Sequence, residues 1–157
     1  MNIFLPYENN IEKSVAALDD TRLNKQIIEC LTMFNAITTY KQTGEKKGYL
    51  MHPVTQFYYN NQDFIIYYGY ICCLEYEYRQ NKQHESYNKI VNHVTDKSKQ
   101  PNYIPYYMEG AKTDPNHIRT TYNVSKLFQQ KLVNKWNKDK RKPCWTSRNI
   151  PEFYKGV

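Results

Sequence analysis

Apolar residues recur at helical spacing along three stretches of the chain. In the first stretch, between positions 18 and 37, they are mostly three or four residues apart, close to the 3.6-residue period of an amphipathic helix. Asp19 or Asp20 can cap the start of such a helix and place negative charge at its positive end. The pattern therefore predicts a helix from about position 20 to about position 40. Its apolar stripe consists of Leu23, Ile27, Cys30, Leu31, Phe34 and Ile37.

The opposite side of this first helix carries Arg22, Lys25 and Glu29, which share one face at i, i+3 and i+7. One interpretation is an ordinary solvated face with a Lys25–Glu29 pair, because such i,i+4 pairs are common and weak. The other interpretation is an anion-binding face with an acid–base group at its centre. This stretch by itself leaves both interpretations open.

The second stretch, from position 54 to about position 80, is apolar on most sides and predicts the central, most buried helix. Gly69 in its middle lowers helix propensity and indicates close packing of another helix. Glu75 and Arg79 are four residues apart near its end, and we expect them to form a structural ion pair rather than a catalytic one. His52 lies at the expected helix start, where a histidine can cap the helix or act on a ligand.

The third stretch predicts a helix from position 114 or 116 to about position 136, with His117 at its start. Its apolar stripe consists of Val124, Leu127, Phe128, Leu132 and Val133. A short helix before position 18, a loop over 41–48, and a helical turn followed by a long polar loop over 81–108 complete the pattern. At 157 residues the chain is long enough for one core and short for two. We therefore expect an all-α fold, a compact single domain over residues 1–157 built from three main helices with long loops.

The charge balance favours a polyanionic partner. The chain has 22 Lys and Arg against 15 Asp and Glu, a formal net charge of +7, which attracts nucleic acid first and anionic membrane second. No apolar run has the length of a membrane span, and no secretory leader opens the chain. The spacing of cysteine and histidine does not resemble a zinc site. We expect an intracellular protein in a reducing compartment, with reduced thiols, no metal and no membrane partner.

The segment after the third apolar stripe is strongly basic. Its cations include Lys131, Lys138, Lys140, Arg141 and Lys142. They precede Trp145, in an aromatic segment that we expect to be exposed. Such a run can clamp a phosphate backbone while the ring stacks on a base. The alternative is a solvated tail, and the net charge favours the first interpretation.

Short sequence motifs occur in all three helical stretches and in the basic tail. The first helix contains L-x-x-x-x-L-x-x-x-x-x-E ending at Glu29, and the second contains H-P-V-T-Q-F-Y-Y and then E-x-x-x-R ending at Arg79. The third is led by His117, followed by S-K-L-F-Q-Q-K-L, and the tail has R-x-P-x-W ending at Trp145. Together they resemble the pyrimidine-dimer DNA glycosylase family, the endonuclease V-like family of phage. The opening F-L-P-Y with L-D-x-x-R-L-x-K-Q-x-x-E is closer to a bacterial and viral branch of that family.

The resemblance implies a compact helical bundle that carries out DNA repair by base excision without a metal or cofactor. Its combined DNA glycosylase and AP lyase reaction acts on damaged or modified pyrimidines. An amine attacks the sugar C1′, the base leaves, an imine forms with the opened sugar, and β-elimination breaks the 3′ phosphate ester. An N-terminal α-amine suits this reaction better than a lysine because its intrinsic pKa is lower.

Glu29 matches the family's carboxylate, which stabilises positive charge developing on the sugar and moves protons. We expect Arg22 and Lys25 beside it to hold flanking phosphates and to keep the carboxyl ionised. In the family the amine belongs to the residue exposed by loss of the initiator methionine. Here Met1 precedes Asn2, a residue large enough to leave the methionine in place. The nucleophile is then the Met1 amine or Lys25, or it is absent; loss of Met1 would expose the Asn2 amine instead.

The resemblance and the charge pattern together imply a monomer that binds double-stranded DNA. The target nucleotide must be exposed by bending the DNA or by flipping a base. The expected DNA-binding residues are Arg22, Lys25, His52, His117, Arg119, Lys131, Arg141, Lys142 and Trp145.

Two other functions stay open on the sequence. One is a non-enzymatic DNA-binding or packaging protein on the same scaffold, with salt-sensitive, sequence-independent affinity that Glu29→Gln leaves unchanged. The other is an enzyme acting on free nucleotides or RNA, which would have a helical pocket around Glu29, Arg22 and His52 and would bind duplex DNA weakly.

Overall fold

The computed structural model describes residues 2–106 and 124–155, and all regular secondary structure within them is helical. The predicted all-α fold is confirmed. In chain order the helices of the described residues are α1 (Ile11–Ala16), α2 (Asp20–Thr43), α3 (Pro53–Phe57), α4 (Gln62–Gln80), α5 (Tyr87–Val91), α6 (Val124–Lys138) and α7 (Glu152–Lys155). None of these helices is both long enough and apolar enough to traverse a lipid bilayer.

Helices α2 and α4 pack against each other and form the centre of the core. Gly69 lies at their closest approach, since a Cβ added there would stand 3.0 Å from the Cβ of Cys30. The predicted close packing at this glycine is confirmed. Most of the predicted stripe of α2 is buried, but Gln26 and Met33 are buried as well. The burial of a polar glutamine matters for the site described below.

The second apolar stretch is not one helix, as expected from its pattern, but two, α3 and α4, separated by residues 58–61. The interruption contains Asn60 and Asn61, residues that favour turns over helix interiors. The Asn61 backbone N–H closes the turn by donating to the Tyr58 carbonyl at 2.8 Å. The break also directs the Tyr58 ring into the core, where its hydroxyl donates to the Ile104 carbonyl at 3.0 Å.

Other boundaries differ less from expectation. Helix α2 continues to Thr43 and ends at Gly44, whose φ of +73° is a left-handed cap conformation that favours glycine. The helical turn expected after position 81 is α5, whereas α7 has no counterpart in the prediction. The expected start of the third helix, with His117 and Arg119, lies outside the described residues.

The segment after α6 folds back over the start of α2. The Asp20 backbone N–H donates to the Cys144 carbonyl at 2.8 Å, and the Trp145 indole N–H donates to the Ala17 carbonyl at 2.9 Å. The Trp145 ring packs against Trp136 and is only 8% exposed. The expectation of an exposed ring at this position is therefore wrong, because the indole has both a ring partner and a buried carbonyl acceptor. All four cysteines are free thiols, and Cys30, Cys72 and Cys73 are buried.

Candidate active site

An open cleft of about 450 Å³ separates the polar face of α2 from the basic segment that follows α6. The fold brings together six of the residues expected at a functional site. They are Asn2, Arg22, Lys25, Glu29, Arg141 and Lys142. One wall thus comes from the N-terminal segment and α2, and the other from a segment more than a hundred positions later in the chain.

Gln26 lines the cleft and is only 1% exposed. Its amide nitrogen donates to the Asn2 carbonyl at 2.8 Å and to Glu29 Oε2 at 3.0 Å. Its amide oxygen accepts from the Phe4 backbone N–H at 3.2 Å. One buried amide therefore holds the residue next to the amino terminus and the Glu29 carboxyl at a single point.

The Glu29 carboxyl is partly buried, and this burial raises its pKa above the usual glutamate value. The positive charges of the amino terminus, Lys25 and Lys135 and the hydrogen bond from Gln26 act in the opposite direction. The cations expected to keep Glu29 ionised are thus present, but burial outweighs them. A carboxyl shifted in this direction is better suited to exchanging protons near neutral pH than an ordinary surface glutamate.

Arg22 does not present a free guanidinium to the cleft. Its two terminal nitrogens bind the two carboxylate oxygens of Asp139 at 2.7 and 3.1 Å, and Nη1 also lies 3.3 Å from Asp19 Oδ1. Asp19 is itself buried and accepts from the Trp136 indole N–H at 2.7 Å. The Arg22 guanidinium, which we expected to contact a phosphate, is therefore bound to the carboxylates of Asp139 and Asp19 in this structure.

The other cations of the cleft are exposed, and they stand on both walls: Lys25, Lys135, Lys140, Arg141 and Lys142. Lys135, which the sequence analysis did not single out, has a pKa below the usual lysine value. Partial burial of its ammonium group is the main cause, and the positive charges of Arg22, Lys131 and Lys25 add to it, whereas Glu29 acts in the opposite direction. The cleft therefore carries exposed cations on both walls around the Glu29 carboxyl, while its two other carboxyls, Asp19 and Asp139, are paired with Arg22.

Several expected site residues are not part of this cleft. His52 caps α3, where its Nδ1 accepts from the Val54 backbone N–H at 3.3 Å, and burial together with the positive amino terminus lowers its pKa. Lys131 lies on α6 away from the lining, and Trp145 is buried. Met1, like His117 and Arg119, lies outside the described residues.

The expected Glu75–Arg79 ion pair is present and buried, with Arg79 Nε 2.8 Å from Glu75 Oε1. Arg79 also donates to the carbonyls of Leu18 and Ala16 and lies 2.9 Å from Asp20 Oδ1. Arg148 binds both oxygens of Glu75 at 2.9 Å each. This network fastens the segment after α6 to the start of α2.

The first 89 residues match the model of one protein family, described as pyrimidine dimer DNA glycosylase. This match covers more than half of the 157 residues. The chain belongs to the pyrimidine dimer DNA glycosylase family. The part that matches the glycosylase family contains Asn2, Gln26 and Glu29, whereas the basic wall of the cleft follows it. No curated protein and no solved structure matches the chain.

Proposed function

We propose that the protein is a DNA glycosylase with AP lyase activity that removes damaged or modified pyrimidines from double-stranded DNA. Membership of the glycosylase family supports the substrate class. The observation that carries the mechanism is the Gln26 amide, which binds the Asn2 carbonyl and the Glu29 carboxyl at once. Asn2, which adjoins the amino terminus, and the Glu29 carboxyl, whose pKa is raised, therefore share a hydrogen-bonding partner.

In this proposal the α-amine of the first residue attacks C1′ of the target nucleotide. The bond from C1′ to the base breaks, and the base leaves with the electron pair and takes up one proton of the attacking amine. The nitrogen lone pair then forms the C1′–N double bond of an imine as the bond from C1′ to the ring oxygen breaks, and the ring oxygen takes up the second amine proton. The Glu29 carboxylate stabilises the positive charge on the sugar during this step. It then accepts the C2′ proton, and elimination expels the 3′ phosphate.

An α-amine fits this cleft better than a lysine as the attacking group. Its intrinsic pKa is near 8, compared with about 10.4 for lysine, so a larger fraction is unprotonated at neutral pH. This difference increases the supply of the nucleophile without a separate base.

The two walls of the cleft would hold the DNA backbone on either side of the target nucleotide. Lys25 on α2 and Lys140, Arg141 and Lys142 on the opposite segment are exposed at the cleft rim. Contacts of this kind position the duplex but carry no sequence information. Exposure of the damaged nucleotide to Glu29 requires bending of the duplex or extrusion of a base, which costs least at a damaged pair.

The first experiment measures cleavage of a duplex carrying a pyrimidine dimer and borohydride trapping on an abasic duplex. Wild-type protein should form a covalent adduct, and Glu29→Gln should lower turnover by about 100-fold or more while leaving DNA affinity unchanged. Glu77→Gln is the matched control, because Glu77 is exposed on α4 and does not line the cleft.

The same experiment separates the enzyme from a non-enzymatic DNA-binding protein. Salt-sensitive binding without any trapped adduct, on either damaged or abasic DNA, would leave only a basic scaffold that associates with duplexes. Equal turnover of Glu29→Gln and Glu77→Gln would remove Glu29 from the mechanism.

A further inference from the structure

Arg22 and Asp139 form a two-point ion pair across the cleft. Both guanidinium nitrogens meet both carboxylate oxygens, at 2.7 and 3.1 Å, and the pair joins α2 to the opposite wall across 117 positions of sequence. The Arg22 side chain is 13% exposed and the Asp139 side chain is 33% exposed. The pair is therefore reachable from the open side of the cleft.

Asp139 differs from the other acids of the cleft. Asp19 is buried, accepts from the Trp136 indole and also contacts Arg22, and Glu29 accepts from Gln26 on its own helix. Asp139 instead stands in a run of exposed cations, Lys138, Lys140, Arg141 and Lys142. A carboxylate in that run opposes the positive charge that a DNA-binding wall would otherwise present.

The chemistry of the pair matches a phosphodiester. A carboxylate and a phosphodiester both offer two oxygens to the fork of an arginine, and both form paired, charge-assisted hydrogen bonds with it. The remaining contact of Arg22, with Asp19, keeps the guanidinium in place whichever partner occupies the fork. The Arg22 pKa is raised and the Asp139 pKa is lowered by their hydrogen bonds, so both groups stay charged at neutral pH.

We propose that the guanidinium of Arg22 is a phosphodiester-binding site of the cleft, and that the Asp139 carboxylate occupies it until a DNA phosphate displaces it. This inference rests on DNA as the substrate of the proposed function. By occupying the guanidinium, Asp139 lowers the affinity of the cleft for any duplex. Only a duplex that enters the cleft deeply enough to bring a phosphate to Arg22 compensates for the Arg22–Asp139 contact that is lost on binding.

The test is a binding titration with a duplex that contains a tetrahydrofuran abasic analogue, which lacks the C1′ hydroxyl and cannot form an imine. Asp139→Asn keeps the shape of the side chain but removes its charge. It should bind about fivefold more tightly than the control, the usual size of a partly exposed ion pair. The control is Asp63→Asn, which adds the same unit of charge on exposed α4 outside the cleft.

A second pair of variants tests whether the gain in DNA affinity depends on Arg22. In an Arg22→Met background, Asp139→Asn should no longer tighten binding, because the fork that the phosphate needs is gone. If Arg22→Met does not fold, Arg22→Lys serves the same purpose with a reduced gain, because a lysine cannot make the two-point contact. An undiminished gain in the background used would overturn the proposal.

Equal affinities of Asp139→Asn and Asp63→Asn, or weaker binding by Asp139→Asn, would also overturn it and make Asp139 a brace between the walls. Borohydride trapping of the wild-type protein on abasic DNA, run alongside, distinguishes failure of this inference from failure of the proposed function. An adduct without the affinity gain removes this inference alone. If the wild-type protein neither binds DNA nor forms an adduct, the proposed function is overturned as well.

Discussion

At the scale of single residues, the site depends on groups whose burial decides their chemistry. Glu29 was identifiable from the sequence because its motif and its position on the polar face of α2 are local features. Gln26 was not, because a helical stripe assigns a glutamine to the solvated side. Its burial follows from hydrogen bonds to Asn2 and Phe4, which are more than twenty positions away. Asp139 was missed for the same reason, since its partner lies on α2.

Replacing Gln26 by leucine, which has a similar volume, tests its role as the link between the N-terminal segment and Glu29. The change deprives the Phe4 N–H and the Asn2 carbonyl of a buried partner, so the free energy of unfolding should fall by about 1–3 kcal/mol. Denaturant unfolding measures this loss. Gln80→Leu, at an exposed position of α4, should change stability by no more than about 0.5 kcal/mol.

The raised pKa of Glu29 makes a separate prediction for stability against pH. A carboxyl whose pKa is higher in the folded than in the unfolded state stabilises the fold at low pH and loses that contribution as pH rises through the folded value. Glu29→Gln should therefore melt at a higher temperature than wild type at pH 7, and the difference should vanish below the ordinary glutamate pKa. A higher melting temperature of the wild type at pH 7 would contradict the assigned direction.

At the scale of elements, the three apolar stripes predicted the main helices, but their ends and interruptions depended on contacts outside each stripe. The break between α3 and α4 has no proline or glycine to mark it. It depends on two asparagines and on the burial of Tyr58. The position of Trp145 likewise follows from its contacts with Trp136 and Ala17, whereas the local sequence around it is basic and suggested exposure.

The ion pairs that attach the basic wall to α2 and α4 predict different losses of stability when Arg79 and Arg148 are replaced. Arg79 has a fully buried side chain, and Arg79→Met leaves Glu75 and the carbonyls of Ala16 and Leu18 without this partner, so stability should fall by about 3–5 kcal/mol. Arg148 is 36% exposed, and Arg148→Met should cost about 1 kcal/mol or less. Urea unfolding of both variants checks the ranking, and equal losses would contradict it.

At the scale of the whole molecule, the net charge of +7 predicted a polyanionic partner, and the fold concentrates cations on the two walls of one cleft. Composition could predict the sign of the protein's electrostatic field but not the place where its cations are concentrated. That place depends on the basic segment after α6 returning to α2, which is a contact between distant parts of the chain.

The salt dependence of DNA binding tests whether the cations of the cleft contact the DNA phosphates. The logarithm of the affinity should fall linearly with the logarithm of salt concentration, with a slope set by the number of phosphates contacted. Replacing Lys140 and Lys142 by methionine should reduce that slope by about two, whereas the same change at Lys46 and Lys47 in the loop after α2 should leave it unchanged. Equal slopes for the two double variants would place the DNA elsewhere.

The central claim is that the amino terminus and Glu29 act on the same sugar. Its most direct test is to trap the wild-type protein on abasic DNA with borohydride, digest the adduct with a protease and locate the added mass by peptide sequencing in a mass spectrometer. We expect the added mass on the α-amine of the first residue of the chain. Its location on Lys25, Lys135 or another lysine, or the formation of an adduct after the α-amine has been acetylated, would contradict the claim.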